Sequence, residues 1–69
     1  MLEKRSFSLA GHRTSVALEP EFWAVLGAAA KRENVALSAV VTRIDSQRAD
    51  GQPLASALRV FALLSNNGI

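Results

Sequence analysis

A chain of 69 residues with 49% hydrophobic residues, one histidine, no cysteine and a formal charge of +2 is a single domain with a small core of its own. Disulfides and thiolate metal ligands are excluded, and one imidazole cannot build a structural zinc site, so no metal or other cofactor is expected. Self-association is the remaining way to bury so much apolar material, and the first expected partner is a second copy of the chain.

The Lys4-Arg5 start runs into SFSLAGHRTS, which lacks the continuous apolar core of a secretory signal. No stretch approaches the roughly 18 apolar residues that would span a bilayer. The expectation is a cytoplasmic protein with no membrane partner, and the lack of cysteine agrees with a reducing compartment. Within residues 1–18, Lys4, Arg5 and Arg13 face only Glu3, so the N-terminal third is the basic part of the chain. A dimer would double that charge and bring two basic segments together.

Residues 1–12 read as a basic N-terminal arm or an extra strand. Phe7 and Leu9 are apolar at odd positions, whereas the next segment is apolar at even ones. Either Gly11 resets the phase with a bulge, or the first segment turns back near residues 10–13 as a separate strand. His12 reads as an exposed turn residue. Arg13 to Leu18 then alternates cleanly, with Thr14, Val16 and Leu18 on one face and Arg13, Ser15 and Ala17 on the other. Pro20 cannot donate to a ladder, so the strand ends there and a helix begins.

The first helix is expected from about Pro20 to Glu33. Phe22, Val25, Leu26, Ala29 and Ala30 form its apolar face, and Trp23 lies at the border, placed to cover a subunit boundary. Gly27 with Ala28–Ala30 permits close packing. Lys31 and Arg32 suit the last turn, and Asn34 suits a left-handed helix end. A second helix is expected from Ala36 or Leu37 to about Ala49, with Leu37, Val40, Val41 and Ile44 as its stripe. A third is expected from about Pro53 to Leu64, with Leu54, Leu58, Phe61 and Leu64 on one side. Val60 and Leu63 make this last helix apolar over more than one face, so it calls for cover on two sides. Residues 13–64 thus form the domain, and residues 65–69 a frayed tail.

One clear strand cannot stand alone, because its backbone groups need partners. The simplest partner is the same strand of a second copy, paired antiparallel across a twofold axis. At this point RTSVALEPEFWAVL, the Asn34-Val35-Ala36-Leu37-Ser38 turn and AVVTRI resemble the ribbon-helix-helix family of dimeric repressors. The longer pattern from KRSFSLAGHRTS to LRVFAL is similar to a subgroup of small stand-alone bacterial proteins with this domain. The resemblance spans roughly residues 4–64. It implies a mainly α fold with one short β-strand, an intertwined homodimer with an intersubunit antiparallel ribbon, and an added third helix.

The function implied is sequence-specific binding of double-stranded DNA by a repressor-type transcriptional regulator, with the ribbon in the major groove. Arg13, Ser15 and Ala17 are the base-contacting positions. Ala17 offers only a methyl group where the family usually has a polar or basic residue. Leu37 and Ser38 at the start of the second helix are the phosphate-binding positions, with Lys4 and Arg5 added by the basic arm. Ala36 stands where the family often has a capping serine or threonine. Val16, Leu18, Phe22, Trp23, Leu26, Val40, Val41 and Ile44 are the expected dimer core. The alternative is a ribbon-helix-helix dimer that serves as a protein–protein interaction module or antitoxin-like partner, docking another protein through the third helix with weak or no DNA binding. No catalytic set is present in the sequence: there is no Ser-His-Asp combination and no Gly-rich phosphate loop, so an enzyme is not expected.

Overall fold

The computed structural model describes residues 1–67, with side chains described as far as Ser65. The order of elements is β1 (Glu3–Leu9), β2 (His12–Leu18), α1 (Pro20–Glu33), α2 (Leu37–Gln47) and α3 (Leu54–Asn67). The two strands pair antiparallel as a hairpin, with Leu9 opposite His12 and Glu3 opposite Leu18. This corrects the expectation of a single strand: β2 finds its neighbour in its own chain, and residues 3–9 are the extra strand rather than an arm. The turn at Ala10-Gly11 supplies the reason. Both residues have positive φ, 51° and 83°, the type I′ geometry whose twist matches the flanking strands.

The helices begin and end for local reasons. Pro20 opens α1, Glu21 lies in its first turn, and Lys31 and Arg32 lie in its last. Asn34 ends it in the left-handed conformation, φ 59° and ψ 43°. The Val35 N–H then bonds back to the Ala30 carbonyl at 3.0 Å. Helix α2 stops at Gln47, two residues before the expected end, because Arg48 turns extended. Its guanidinium then bonds to Asp45 at 2.8 Å and to the Gln52 carbonyl, which ties the α2–α3 connection. Helix α3 continues through Ser65 to Asn67, so the expected tail is helical over that part. Gly68 and Ile69 lie outside the described residues.

The core is closed by one chain. Leu9, Val16, Leu18, Trp23, Leu26, Ala30, Val40, Val41, Ile44, Ala57, Leu58 and Ala62 form a single buried cluster. Full burial of a leucine or valine contributes about 1.5–3 kcal/mol. Of the residues expected at a dimer core, Val16, Leu18, Trp23, Leu26, Val40, Val41 and Ile44 are covered by the chain itself, and Phe22 is partly buried. Helix α3 provides this cover. It turns Ala57, Leu58 and Ala62 inward and leaves Val60, Leu63 and Leu64 exposed. Leu64, expected on the packed side, is therefore on the solvent side. Gly27 has open space where a Cβ would stand, so the close approach expected there is not used within the chain.

Two ion pairs link the helices. Arg43 on α2 donates to both carboxylate oxygens of Glu33 on α1, at 2.6 and 3.0 Å. Arg59 on α3 donates to Glu19 at the start of α1, at 3.1 Å. No helix among the described residues is long and apolar enough to cross a membrane.

Candidate nucleic-acid interface

The two-residue turn decides which side chains share a face. It pairs each odd residue of β1 with an even residue of β2. Successive side chains of a strand alternate between faces. The inner face therefore carries Glu3, Arg5, Phe7 and Leu9 with His12, Thr14, Val16 and Leu18. The outer face carries Lys4, Ser6 and Ser8 with Arg13, Ser15 and Ala17. The phase conflict between the two halves of the N-terminal segment disappears, because the turn, not a bulge, inverts the parity.

The outer face is exposed throughout except for partly buried Ala17. A two-residue hairpin makes Leu9 and His12 the closing hydrogen-bonded pair, so the Ser8–Arg13, Ser6–Ser15 and Lys4–Ala17 pairs are non-hydrogen-bonded. Side chains are closest in such pairs. Accordingly, the Ser6 and Ser15 hydroxyl oxygens lie 3.0 Å apart. The expected base-contacting residues Arg13, Ser15 and Ala17 are thus together on one exposed face. Ser6 and Ser8 join them, two residues to which the sequence alone assigns no role. Their signal is an even spacing with Lys4, legible only once the hairpin register is known.

The ion pairs sharpen the electrostatics of this face. Arg5, Arg43, Arg48 and Arg59 each pair with a carboxylate. Among the described residues, Lys4, Arg13, Lys31 and Arg32 have no such partner. Two of these four unpaired cations stand on the outer hairpin face, and no carboxylate among the described strand residues shares that face. Glu33 has its carboxyl held below the usual glutamate range, chiefly by the Arg43 hydrogen bonds, and Arg43 is raised correspondingly. Glu19 is lowered first by a backbone hydrogen bond and then by Arg59.

Arg5, expected beside Lys4 in a phosphate-contacting arm, is parted from it by the strand alternation. Its guanidinium lies over the Trp23 ring, 4.8 Å from the centroid, and 3.5 Å from the Glu3 carboxylate. Trp23 also donates its indole N–H to the Glu3 carbonyl at 2.8 Å and packs against Phe7. Within the chain, Trp23 thus anchors β1.

At the start of α2, the Ala39 and Val40 N–H groups bond to the Ala36 carbonyl at 3.0 and 3.4 Å. The Leu37 and Ser38 amides lie ahead of these bonds as orphan helix donors. Ala36 gives no side-chain cap, and the first turn has no acidic residue, so the positive end of the dipole is open to an anion. No cluster of three or more His, Asp or Glu with metal-holding geometry occurs among the described residues.

The class of protein is a two-stranded ribbon followed by three helices, with a polar outer face that carries unpaired cations. The family model of the ribbon-helix-helix domain matches residues 2–65. The chain belongs to the ribbon-helix-helix family, whose domains are typically non-enzymatic DNA-binding modules. No curated protein and no solved structure matches the chain.

Proposed function

We propose that the protein is a sequence-specific DNA-binding transcriptional regulator of repressor type, acting as a homodimer with a β-ribbon in the major groove. The observation that carries this reading is the outer hairpin face, which holds unpaired Lys4 and Arg13 and, among the described residues, no carboxylate. A two-stranded ribbon fits the major groove. Arg13 donates two bonds to a guanine edge, Ser15 donates or accepts, and the Ala17 methyl meets a thymine methyl. The Leu37 and Ser38 amides hold a backbone phosphate.

Two features support the homodimer. The second edge of β2 has no strand partner among the described residues of the single chain, and Val60, Leu63 and Leu64 are exposed on α3. The same α3 surface favours a second reading, in which the dimer docks another protein and DNA binding is minor.

Retention of random genomic DNA fragments by the wild type and by Arg13→Ala separates the two. A regulator retains selected fragments in a salt-dependent way, and Arg13→Ala loses the selection, at about 1–3 kcal/mol of base discrimination. No retention at low salt would sink the DNA reading and promote the protein-binding one. Light scattering tests the homodimer: a folded monomer at micromolar concentration contradicts it.

A further inference from the structure

We propose that Ala17 is a neutral spacer between two cations of different subunits, Lys4 on its own chain and Arg13 of the partner subunit. The inference rests on the homodimer of the reading above. It deepens that reading by giving a reason for a residue with no side-chain hydrogen bond on the outer face.

The hairpin decides which backbone groups of β2 are free. Leu9 and His12 form the closing hydrogen-bonded pair, so Thr14, Val16 and Leu18 turn their N–H and C=O groups toward β1. Those of Arg13, Ser15 and Ala17 point to the opposite edge, which has no strand partner among the described residues. A second copy that pairs there antiparallel about a twofold axis uses these same residues on both strands. The two β2 strands are then the ribbon, and each β1 flanks it.

A twofold pairing that keeps like faces together places one residue opposite its own copy. With Thr14 on the axis, Ala17 falls opposite Gly11, which lies in the turn at φ 83°. With Val16 on the axis, Arg13 falls opposite Glu19, whose carbonyl already accepts the Phe22 and Trp23 N–H groups at 3.0 and 3.3 Å. With Ser15 on the axis, β2 overlaps its copy over its full length, His12–Leu18. Every free backbone group of Arg13, Ser15 and Ala17 is then paired, which is the arrangement backbone polar groups require.

In that register one row of the outer face crosses both subunits: Lys4, then Ala17, then Arg13 of the partner subunit. The Ala17 Cα is about 4.5 Å from that of Lys4 and about 5.5 Å from that of Arg13 of the partner subunit. The two cations stand two strand spacings apart, about 9.6 Å, near the Debye length at physiological salt. Neither Lys4 nor Arg13 has a carboxylate partner among the described residues. A cation at position 17 would stand directly opposite both, and like charges directly opposite each other are destabilising. Alanine is depleted in strands, so propensity gives no reason for Ala17, whereas its lack of charge does.

The test measures the dimer itself, without DNA. Sedimentation of wild type, Ala17→Lys, Ala17→Met, Ala17→Glu and Arg13→Ser/Ala17→Lys gives the dissociation constants, and circular dichroism verifies folding. Ala17→Lys is expected to raise the dissociation constant roughly twofold to thirtyfold at low salt, less at high salt. Ala17→Met stays near wild type, Ala17→Glu tightens the dimer, and Arg13→Ser in the Ala17→Lys background restores it. The register is tested by cross-linking, for which the absence of native cysteine is convenient. Ser15→Cys is expected to form a disulfide-linked dimer under mild oxidation, because a Cα separation of about 5.5 Å suits the bond. Arg13→Cys is expected not to, because its copy is displaced by about 13.6 Å along the strands. If Ala17→Lys dimerises as tightly as wild type, or Arg13→Cys links more readily than Ser15→Cys, the inference falls and the homodimer stands. If the wild type is a folded monomer at micromolar concentration, the homodimer falls and the inference falls with it.

Discussion

The inner face of the β1–β2 hairpin carries Phe7, Leu9, Val16 and Leu18, whereas the outer face carries Lys4, Ser6, Ser8, Arg13, Ser15 and Ala17. Both draw on alternate residues of the same two strands. Val16 and Leu18 have 5% and 0% of their surface exposed, while the outer residues are open to solvent apart from Ala17. The inner face is covered by Trp23 and the helical core, and stability is lodged there. The outer face makes a side-chain hydrogen bond between two serines and contributes little to folding. The difference teaches that a very small domain can separate the residues that keep it folded from those left free on its surface, at a distance of one residue in sequence.

That separation is broken most sharply from the inside. Leu18→Ala removes a fully buried side chain and is expected to destabilise the fold by about 2–5 kcal/mol in chemical denaturation. Ser15→Ala, on the other face, is expected to change stability by less than about 0.5 kcal/mol. Equal effects of the two would show that the faces are not separate.

Trp23→Phe keeps the aromatic body and removes the N–H that holds the Glu3 carbonyl. The expected loss is about 1–2 kcal/mol, with faster amide exchange in β1 than in α2. Uniform exchange across both elements would contradict the anchoring role.

Ala10 stands at φ 51°, a conformation that disfavours a side-chain-bearing residue by roughly 1–2 kcal/mol unless it is glycine or asparagine. Ala10→Asn completes an Asn-Gly turn and is expected to raise stability by about 1 kcal/mol. An unchanged or lower melting temperature would argue against the type I′ hairpin, and so against the division of the faces.

The smallest effect concerns the helical support. Glu33 and Glu19 have carboxyl pKa values below the ordinary glutamate range when folded. Their contribution is therefore present above that range and is lost as pH falls through the lowered folded values. Acid titration of the melting temperature is expected to show a decline in that window. Glu33→Gln is expected to make the decline shallower, and a variant titrating like the wild type would exclude the Arg43 pair as a source.

The legible parts of this fold are those written into neighbouring residues. Pro20 and Asn34 mark both ends of α1 because one lacks an N–H and the other tolerates the left-handed conformation. The alternation from Arg13 to Leu18 identifies both faces of β2, and so groups Arg13, Ser15 and Ala17 by spacing alone. Helix α3 is harder: it is apolar over more than one face, so spacing does not tell that Ala57 and Ala62 face inward while Leu64 faces out. Packing against α1, α2 and β2 decides that, and it is a property of several elements together.

The first strand shows the same limit more sharply. Phe7 and Leu9 conflict in parity with Val16 and Leu18, and Ala10-Gly11 lacks the Asn or Asp that usually announces such a turn. The conflict resolves only when two residues at positive φ fold the chain back on itself. That reversal places Lys4, Ser6 and Ser8 beside Arg13 and Ser15, and it gives Trp23 a carbonyl to hold. The sequence by itself determined both ends of α1, the faces of β2 and the resemblance to the family, because these are written in residues a few positions apart. The tertiary structure alone decided the partner of β2, the covering of the core by α3 and the membership of the outer face, because these depend on which distant segments meet.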